Sequence, residues 1–446
     1  MIHPMKDIVK RYKSGENVGI FSVCCSNQYV IEAAMQKLLN KNIPLLVEAT
    51  ANQVDQFGGY TGMKPKEYVK YIYSIADKVG FPKERIILGG DHLGPLTWRT
   101  INPREAMENA KNLIREYVLA GFSKIHIDTS MPLNGDFENE IFDDSLIANR
   151  ASVLCKVAEE AYLELREKND EAMHPVYIIG SEVPIPGGAQ VEEEEAGPKV
   201  TSVEGFKNTV ETFKKAFESF GVGDAWQYVI GVVVQPGVEF SSDYVWEYNR
   251  EEAKDLIDEL KNYPQLIFEA HSTDYQTPRA LKEMVEDGFI ILKVGPALTF
   301  GFREGIFALN HIENELLKYD ENVELSNFIE VLDFSMIKNP KDWVHHYSGT
   351  GEKIKLERKY SLSDRARYYM PKDEVNFALE KLMNNLEGIE IPMTIISQFM
   401  HEQYKKVREG VLKPIAKELL KDRIGEYLDD YVYAVENVEE KILEIN

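Results

Sequence analysis

Ile86-Ile-Leu-Gly-Gly-Asp-His-Leu-Gly94 decides how the chain is read. An apolar run suited to a buried strand ends in two glycines, then a carboxylate beside an imidazole. The glycines let the backbone bend and let another group approach closely. In a fold of repeated strand–helix units, chemistry collects at the carboxyl ends of the strands. Taken alone, the stretch reads equally well as a polar turn with a helix cap. The other strand ends decide between the two.

Seven further apolar runs alternate with segments of helical periodicity. They are Val18–Ser26, Pro44–Thr50, Lys124–Asp128, Pro175–Glu182, Tyr228–Gln235, Gln265–His271 and Phe289–Lys293. Strands that are apolar on both faces and alternate with helices predict a parallel sheet covered on both sides. Eight such units predict a closed (β/α)8 TIM barrel over residues 1–317, with the eighth helix spanning Phe302–Leu317. Residues 318–446 keep helical periodicity without obvious strands, which predicts a helical extension packed on the barrel. The acidic run Glu192–Glu195 reads as a solvated loop.

Composition narrows the partners. The 446 residues carry a formal net charge of -23, which argues against nucleic acid or an anionic membrane surface. No apolar run is long enough to span a bilayer, and the amino terminus lacks a signal-peptide core, so a cytoplasmic protein is expected. Three cysteines, two of them adjacent (Cys24, Cys25), make neither a disulfide framework nor a zinc ribbon. Nucleophile signatures, nucleotide-cradling loops and dinucleotide fingerprints are absent, so a kinase has no support.

The strand ends are polar in the same way. Strand two ends with Glu48, three with Asp91-His92, four with His126 and Asp128, and five with Glu182. Strand six ends in Gln235, seven carries Glu269 and His271, and eight carries Lys293. Side chains alternate along a strand, so His126 and Asp128 share a face, as do Glu269 and His271. Any one of these residues could be a cap or an isolated ion pair. Their convergence on one barrel end predicts a small-molecule active site.

His92, Glu182 and His271 offer nitrogen and oxygen ligands for a divalent cation, Zn²⁺ first, with Mn²⁺, Co²⁺ or Ni²⁺ as alternatives. The same three would also make a metal-free hydrogen-bonded cluster or proton relay. A phosphate needs glycine-rich backbone or a helix start, usually with a basic side chain. Gly295-Pro-Ala-Leu-Thr-Phe-Gly301 with Arg303 offers one such place. Ser363, Arg365 and Arg367, in Ser361-Leu-Ser-Asp-Arg-Ala-Arg367, offer a second, for which an inter-helix salt bridge is the competing reading.

Long motifs carry a family resemblance. Glu48-Ala-Thr-Ala-Asn-Gln-Val54, Gln56-Phe-Gly-Gly-Tyr-Thr-Gly-Met63 and Ile86–Pro95 resemble the GatZ/KbaZ family. So do Gly121–His126, Gly180–Gly188, Val234–Phe240, Glu269–Thr277, Leu292–Phe300 and Tyr360–Arg365. That family is known as the non-catalytic subunit of class II D-tagatose-1,6-bisphosphate aldolase. The resemblance implies a barrel of class II aldolase type, and a role in galactitol, tagatose or amino-sugar catabolism. Asp91-His92 resembles the Asp-His pair of catalytic class II aldolases, in which the His binds zinc and the Asp is an acid/base. His271 resembles a later zinc histidine. The middle zinc histidine has no counterpart, and Glu182 stands where a ligand is expected.

The family also resembles hexulose-phosphate 4-epimerases, which interconvert fructose 6-phosphate and tagatose 6-phosphate. The resemblance therefore implies metal-dependent cleavage and re-formation of C3–C4 on a sugar phosphate. Under it, Asp91, Glu48 or Asp128 would move protons and Lys293 would stabilise an oxyanion. Gln235, Asp274, Gly295, Arg303, Ser363 and Arg365 would hold the substrate and its phosphate. The alternative is a subunit that stabilises a separate catalytic aldolase. A homo-oligomer is expected in either case.

Overall fold

The computed structural model describes residues 2–136, 142–184 and 197–436. Its strands in chain order are β1 (Ile20–Val23), β2 (Leu45–Thr50), β3 (Ile86–Leu93), β4 (Lys124–Ile127) and β5 (Val176–Ile179). There follow β6 (Val229–Val234), β7 (Glu239–Phe240), β8 (Val245–Trp246), β9 (Ile267–Ala270) and β10 (Phe289–Val294). Eight of them close into a parallel barrel in the order β1-β10-β9-β6-β5-β4-β3-β2. The chain is a (β/α)8 TIM barrel. Nearly every strand residue is buried, because the helices cover the outer face and side chains fill the inside.

Helix starts follow their local chemistry. Pro103, Pro278 and Pro296 each occupy the first turn, where a missing amide costs nothing. That placement corrects one expectation. The helix after β10 runs Pro296–Leu317, so the stretch from Gly295 is a helix start rather than a glycine-bearing loop before Phe302. Two further departures concern strand ends. β5 stops at Ile179, before Gly180, and the connection after β6 folds into the antiparallel hairpin β7–β8. The acidic run 192–195 lies outside the described residues.

Beyond residue 317 the described residues form helices, the last being Ala416–Val435. That helix packs on helices Gln28–Leu38, Pro278–Glu286 and Pro296–Leu317. Its Tyr431 hydroxyl donates to the carbonyl of Thr273 at 2.8 Å, just past β9. Among the described residues no helix is long and apolar enough to cross a membrane.

β3 is the irregular strand, and the irregularity builds the site. Its pairing with β4 shifts between Gly90 and Leu93, and His92 has φ of 49°, in the left-handed region. In a regular strand, neighbouring side chains point to opposite faces. The shift lets Asp91 and His92 both reach the barrel end. Two glycines are steric necessities here. A Cβ on Gly89 would lie 2.5 Å from Oε1 of Glu48, and one on Gly94 would lie 1.6 Å from the carbonyl oxygen of Asp128.

Candidate active site

The lowest layer of the site is a buried charge network. Lys124 Nζ lies 2.6 Å from Glu48 Oε1 and 2.6 Å from Glu269 Oε2, and all three side chains have no exposed surface. Lys293 Nζ reaches Glu48 Oε2 and stands 2.8 Å from Asp91 Oδ1. Such charges persist in an interior only when each has close partners. Burial alone would raise the Glu269 pKa; Lys124, and then His271, override it and hold it at about 2. Burial lowers the Lys293 pKa to about 8.

Three imidazoles sit above this layer. Ring centroids are 4.8 Å apart for His92–His271, 5.1 Å for His92–His126 and 5.2 Å for His126–His271. Carboxylates orient each ring. His92 Nδ1 lies 2.7 Å from Asp128 Oδ2, His126 Nδ1 lies 3.0 Å from Asp91 Oδ1, and His271 Nε2 lies 3.0 Å from Glu269 Oε1. Asp128 is in turn fixed by the amide and hydroxyl of Ser130. Burial would lower the His92 pKa, but Asp91 and then Asp128 raise it overall. Burial prevails at His271 and lowers its pKa.

These residues fit a divalent cation. Asp91, His92, His126 and His271 each offer a ligand atom, all within 4.8 Å of one another. His126 Nε2 is buried without a hydrogen-bond partner, as an unfilled ligand position would be. Charge points the same way: four carboxylates (Glu48, Asp91, Asp128, Glu269) face two ammonium groups (Lys124, Lys293). The excess of carboxylates over ammonium groups has the sign that a bound cation would balance. Hydrogen bonding of the remote ring nitrogen to a carboxylate is the usual outer support of a metal-bound histidine.

Several sequence-based assignments change. Glu182 is exposed, three residues past the end of β5, and its Oε2 accepts from the Thr201 hydroxyl at 2.7 Å. It does not join the histidines; Asp91 and His126 take its place. Asp128 is not among the residues lining the pocket; its Oδ2 lies 2.7 Å from His92 Nδ1. Gln235 turns back on its own loop, its Oε1 accepting from the amides of Gly237 and Val238. Arg303 is buried against Phe300 and paired with Asp364 at 2.8 Å. Ser363 hydrogen-bonds Ser361, and Arg365 Nε donates to the carbonyl of Asp342.

A pocket opens above the cluster. Asp91, His92, His271 and Lys293 form its floor, and Asp274 and Gly295 line it as expected. The backbone amides expected to receive phosphate are already occupied. Asp274 Oδ1 accepts from Gly295 N at 3.0 Å and Ala297 N at 2.8 Å. Burial raises the Asp274 pKa to about 6. Arg367 and Tyr368, from the extension, complete the wall.

One principal group, Lys124, went unselected in the sequence, and Arg367 was offered there only together with Arg365. Lys124 shares strand parity with His126 and Asp128, and that spacing could have found it. Arg367 had no periodic signal to separate it from Arg365.

A closed parallel barrel with titratable side chains gathered at the carboxyl ends of its strands defines a TIM-barrel protein with an enzyme-type pocket. Comparison narrows the class. A family model described as D-tagatose-1,6-bisphosphate aldolase subunit GatZ/KbaZ-like matches residues 5–436. The D-tagatose-1,6-bisphosphate aldolase subunit GatZ of Salmonella agona is 45% identical over 428 residues, 96% of this chain and 98% of that one. The same subunit of Salmonella dublin is 44% identical over 427 residues, 96% and 98% of the two chains. A crystal structure described as a probable tagatose 6-phosphate kinase from Sinorhizobium meliloti 1021 is 42% identical, with a TM-score of 0.83. It covers 93% of this chain and 100% of its own. The chain belongs to the GatZ/KbaZ-like family.

Proposed function

We propose that this chain is a tagatose-bisphosphate aldolase subunit whose own barrel is a metal-dependent sugar-phosphate site. The subunit role is supported by the names of its relatives, GatZ subunits at 44 and 45% identity over nearly their whole length. A working site is favoured by one observation: Asp91, His92, His126 and His271 converge within 4.8 Å. A subunit that only propped up a partner would have no use for so many buried polar groups, each costly to desolvate.

The reaction this supports is reversible cleavage of C3–C4 in a ketohexose phosphate. A divalent cation held by the three histidines would supply Lewis acidity to the ketose carbonyl. The Asp91 carboxylate takes the proton from the O4 hydroxyl as C3–C4 breaks and the C4 aldehyde forms. Lys293, 2.8 Å from Asp91, supplies positive charge for the oxygen that gains electron density. Re-addition after the aldehyde has turned over returns the proton and gives the C4 epimer. Tagatose 6-phosphate and fructose 6-phosphate are related in this way. A kinase reading lacks a nucleotide-cradling loop in the sequence.

The test is to assay the purified chain alone on tagatose 6-phosphate and fructose 6-phosphate, with chelator and after addition of Zn²⁺, Mn²⁺, Co²⁺ or Ni²⁺. Metal-dependent interconversion is expected. Absence of turnover with every metal would overturn the catalytic part. A class II aldolase assayed with and without this chain tests the subunit role, and an unchanged rate and half-life would overturn it.

A further inference from the structure

The pocket wall contributed by the helical extension has an electrostatic character that the barrel floor lacks. Arg367 lines the cavity from the extension; two other arginines, Arg303 on the helix Pro296–Leu317 and Arg365, lie outside its lining. Arg303 pairs with Asp364, and Arg365 donates to Asp342 and stacks on Tyr368. Arg367 differs. Its NH1 group donates to the carbonyls of Ser363 and Asp364, and its NH2 group donates to the Tyr368 hydroxyl at 3.2 Å. These are neutral acceptors that fix the guanidinium without cancelling its charge.

Among the described residues, no carboxylate stands within ion-pair distance of Arg367. Its Nε–H has no acceptor there, while the residue lines the cavity. A guanidinium that is pre-oriented and makes no direct ion pair, with the Asp364 and Asp274 carboxylates acting on it only from beyond contact, can receive a planar or tetrahedral oxyanion. Tyr368 reports the local potential. Its ring lies between Arg365 at 4.5 Å and Arg367 at 4.6 Å, with Tyr60 edge-on at 5.1 Å. Burial would raise its pKa, yet Arg367 and then Arg365 bring it down to about 8.

The rest of the pocket directs an anion to the same place. The helix start at Gly295 is closed by the Asp274 carboxylate, and the floor beneath carries excess negative charge. Arg367 also stands where the cavity meets an adjoining cleft, sharing that border with Cys24, Gln53 and Tyr60.

We infer that Arg367, carried by the helical extension, receives the phosphate of the substrate and so selects ketohexose phosphates over free ketohexoses. The inference rests on the reading of the pocket as a sugar site and adds the residue that sets the substrate class. Tyr368 and Arg365 act as positioning residues, holding the guanidinium and strengthening the field around it.

The experiment compares the intact protein with Arg367→Met and Arg367→Lys. Binding of inorganic phosphate is followed by phosphorus NMR, and binding of tagatose 6-phosphate and tagatose by calorimetry. Loss of a charge-assisted hydrogen-bonded contact should weaken phosphate and tagatose 6-phosphate by roughly 10- to 100-fold in Arg367→Met. Free tagatose should change by less than about threefold, and Arg367→Lys should recover part of the loss. Equal binding of phosphate by wild type and Arg367→Met would overturn the inference, as would equal losses for both sugars. If Arg367→Met does not give a wild-type melting curve, Arg367→Lys decides: an unchanged preference for the phosphorylated sugar overturns the geometric role. A wild-type protein that binds phosphate through Arg367 yet turns over no sugar would sink the proposed reaction and leave this site standing.

Discussion

Asp128 Oδ2 lies 2.7 Å from Nδ1 of His92, and both side chains are almost wholly buried. The contact engages Nδ1 of the ring, so Nε2 is the atom that would face a cation in the proposed site. The other Asp128 oxygen, Oδ1, accepts from the amide and hydroxyl of Ser130. Asp128→Asn preserves the shape but replaces the charged acceptor. The expected result is a loss of roughly 10- to 100-fold in divalent-metal affinity with the fold intact. Competitive metal titration with a chromophoric chelator measures it, and an unchanged affinity would refute the orienting role.

Lys124 tests the layer below. Its ammonium sits between Glu48 and Glu269, so removing it leaves two buried carboxylates short of a cation. Lys124→Met should cost about 3–5 kcal/mol of unfolding free energy, read from urea denaturation. Adding Glu48→Gln to that variant should restore part of the loss, because one of the stranded charges is removed. A Lys124→Met protein as stable as wild type would show that the network is not what balances those acids.

Gly89 is predicted to be irreplaceable for the sake of a neighbour. Its added Cβ would crowd Glu48, and Glu48 cannot retreat because Lys124 and Lys293 hold both of its oxygens. Gly89→Ala should destabilise by about 1–3 kcal/mol. Gly351→Ala, at a helix start with open space around it, should stay within about 0.5 kcal/mol of wild type. Equal melting behaviour of the two variants would count against the steric account.

What could be read without coordinates follows from where periodicity operates. Repeating apolar runs led directly to eight strands, and parity within each strand led to His126 with Asp128 and to Glu269 with His271. Parity applies only while the strand lasts. Glu182 would have faced the axis had β5 continued, but β5 ends at Ile179. Parity also fails at a bulge: Asp91 and His92 are neighbours, yet both serve the site because the β3–β4 register shifts there. Contacts between distant segments leave no local pattern. Arg365 and Arg367 are two residues apart on the same short helix, and only the fold distinguishes the one against Asp342 from the one at the cavity.

The last prediction concerns pH. His3 caps the first helix, Pro4–Lys13, by accepting from the Met5 amide at Nδ1, and is 5% exposed. Burial is the main cause that lowers its pKa from 6.5 to about 4. The unfolded chain therefore binds a proton at this site before the folded chain does. Stability from His3 is fully present above pH 6.5 and is lost as pH falls towards 4, by up to about 3 kcal/mol. His3→Asn keeps a side-chain acceptor at the cap and removes the titration. Urea midpoints should then fall less steeply between pH 6.5 and 4 in the variant, with the two proteins within about 1 kcal/mol at pH 7. Parallel curves across that window would mean that His3 is protonated as readily in the folded protein as in the unfolded one.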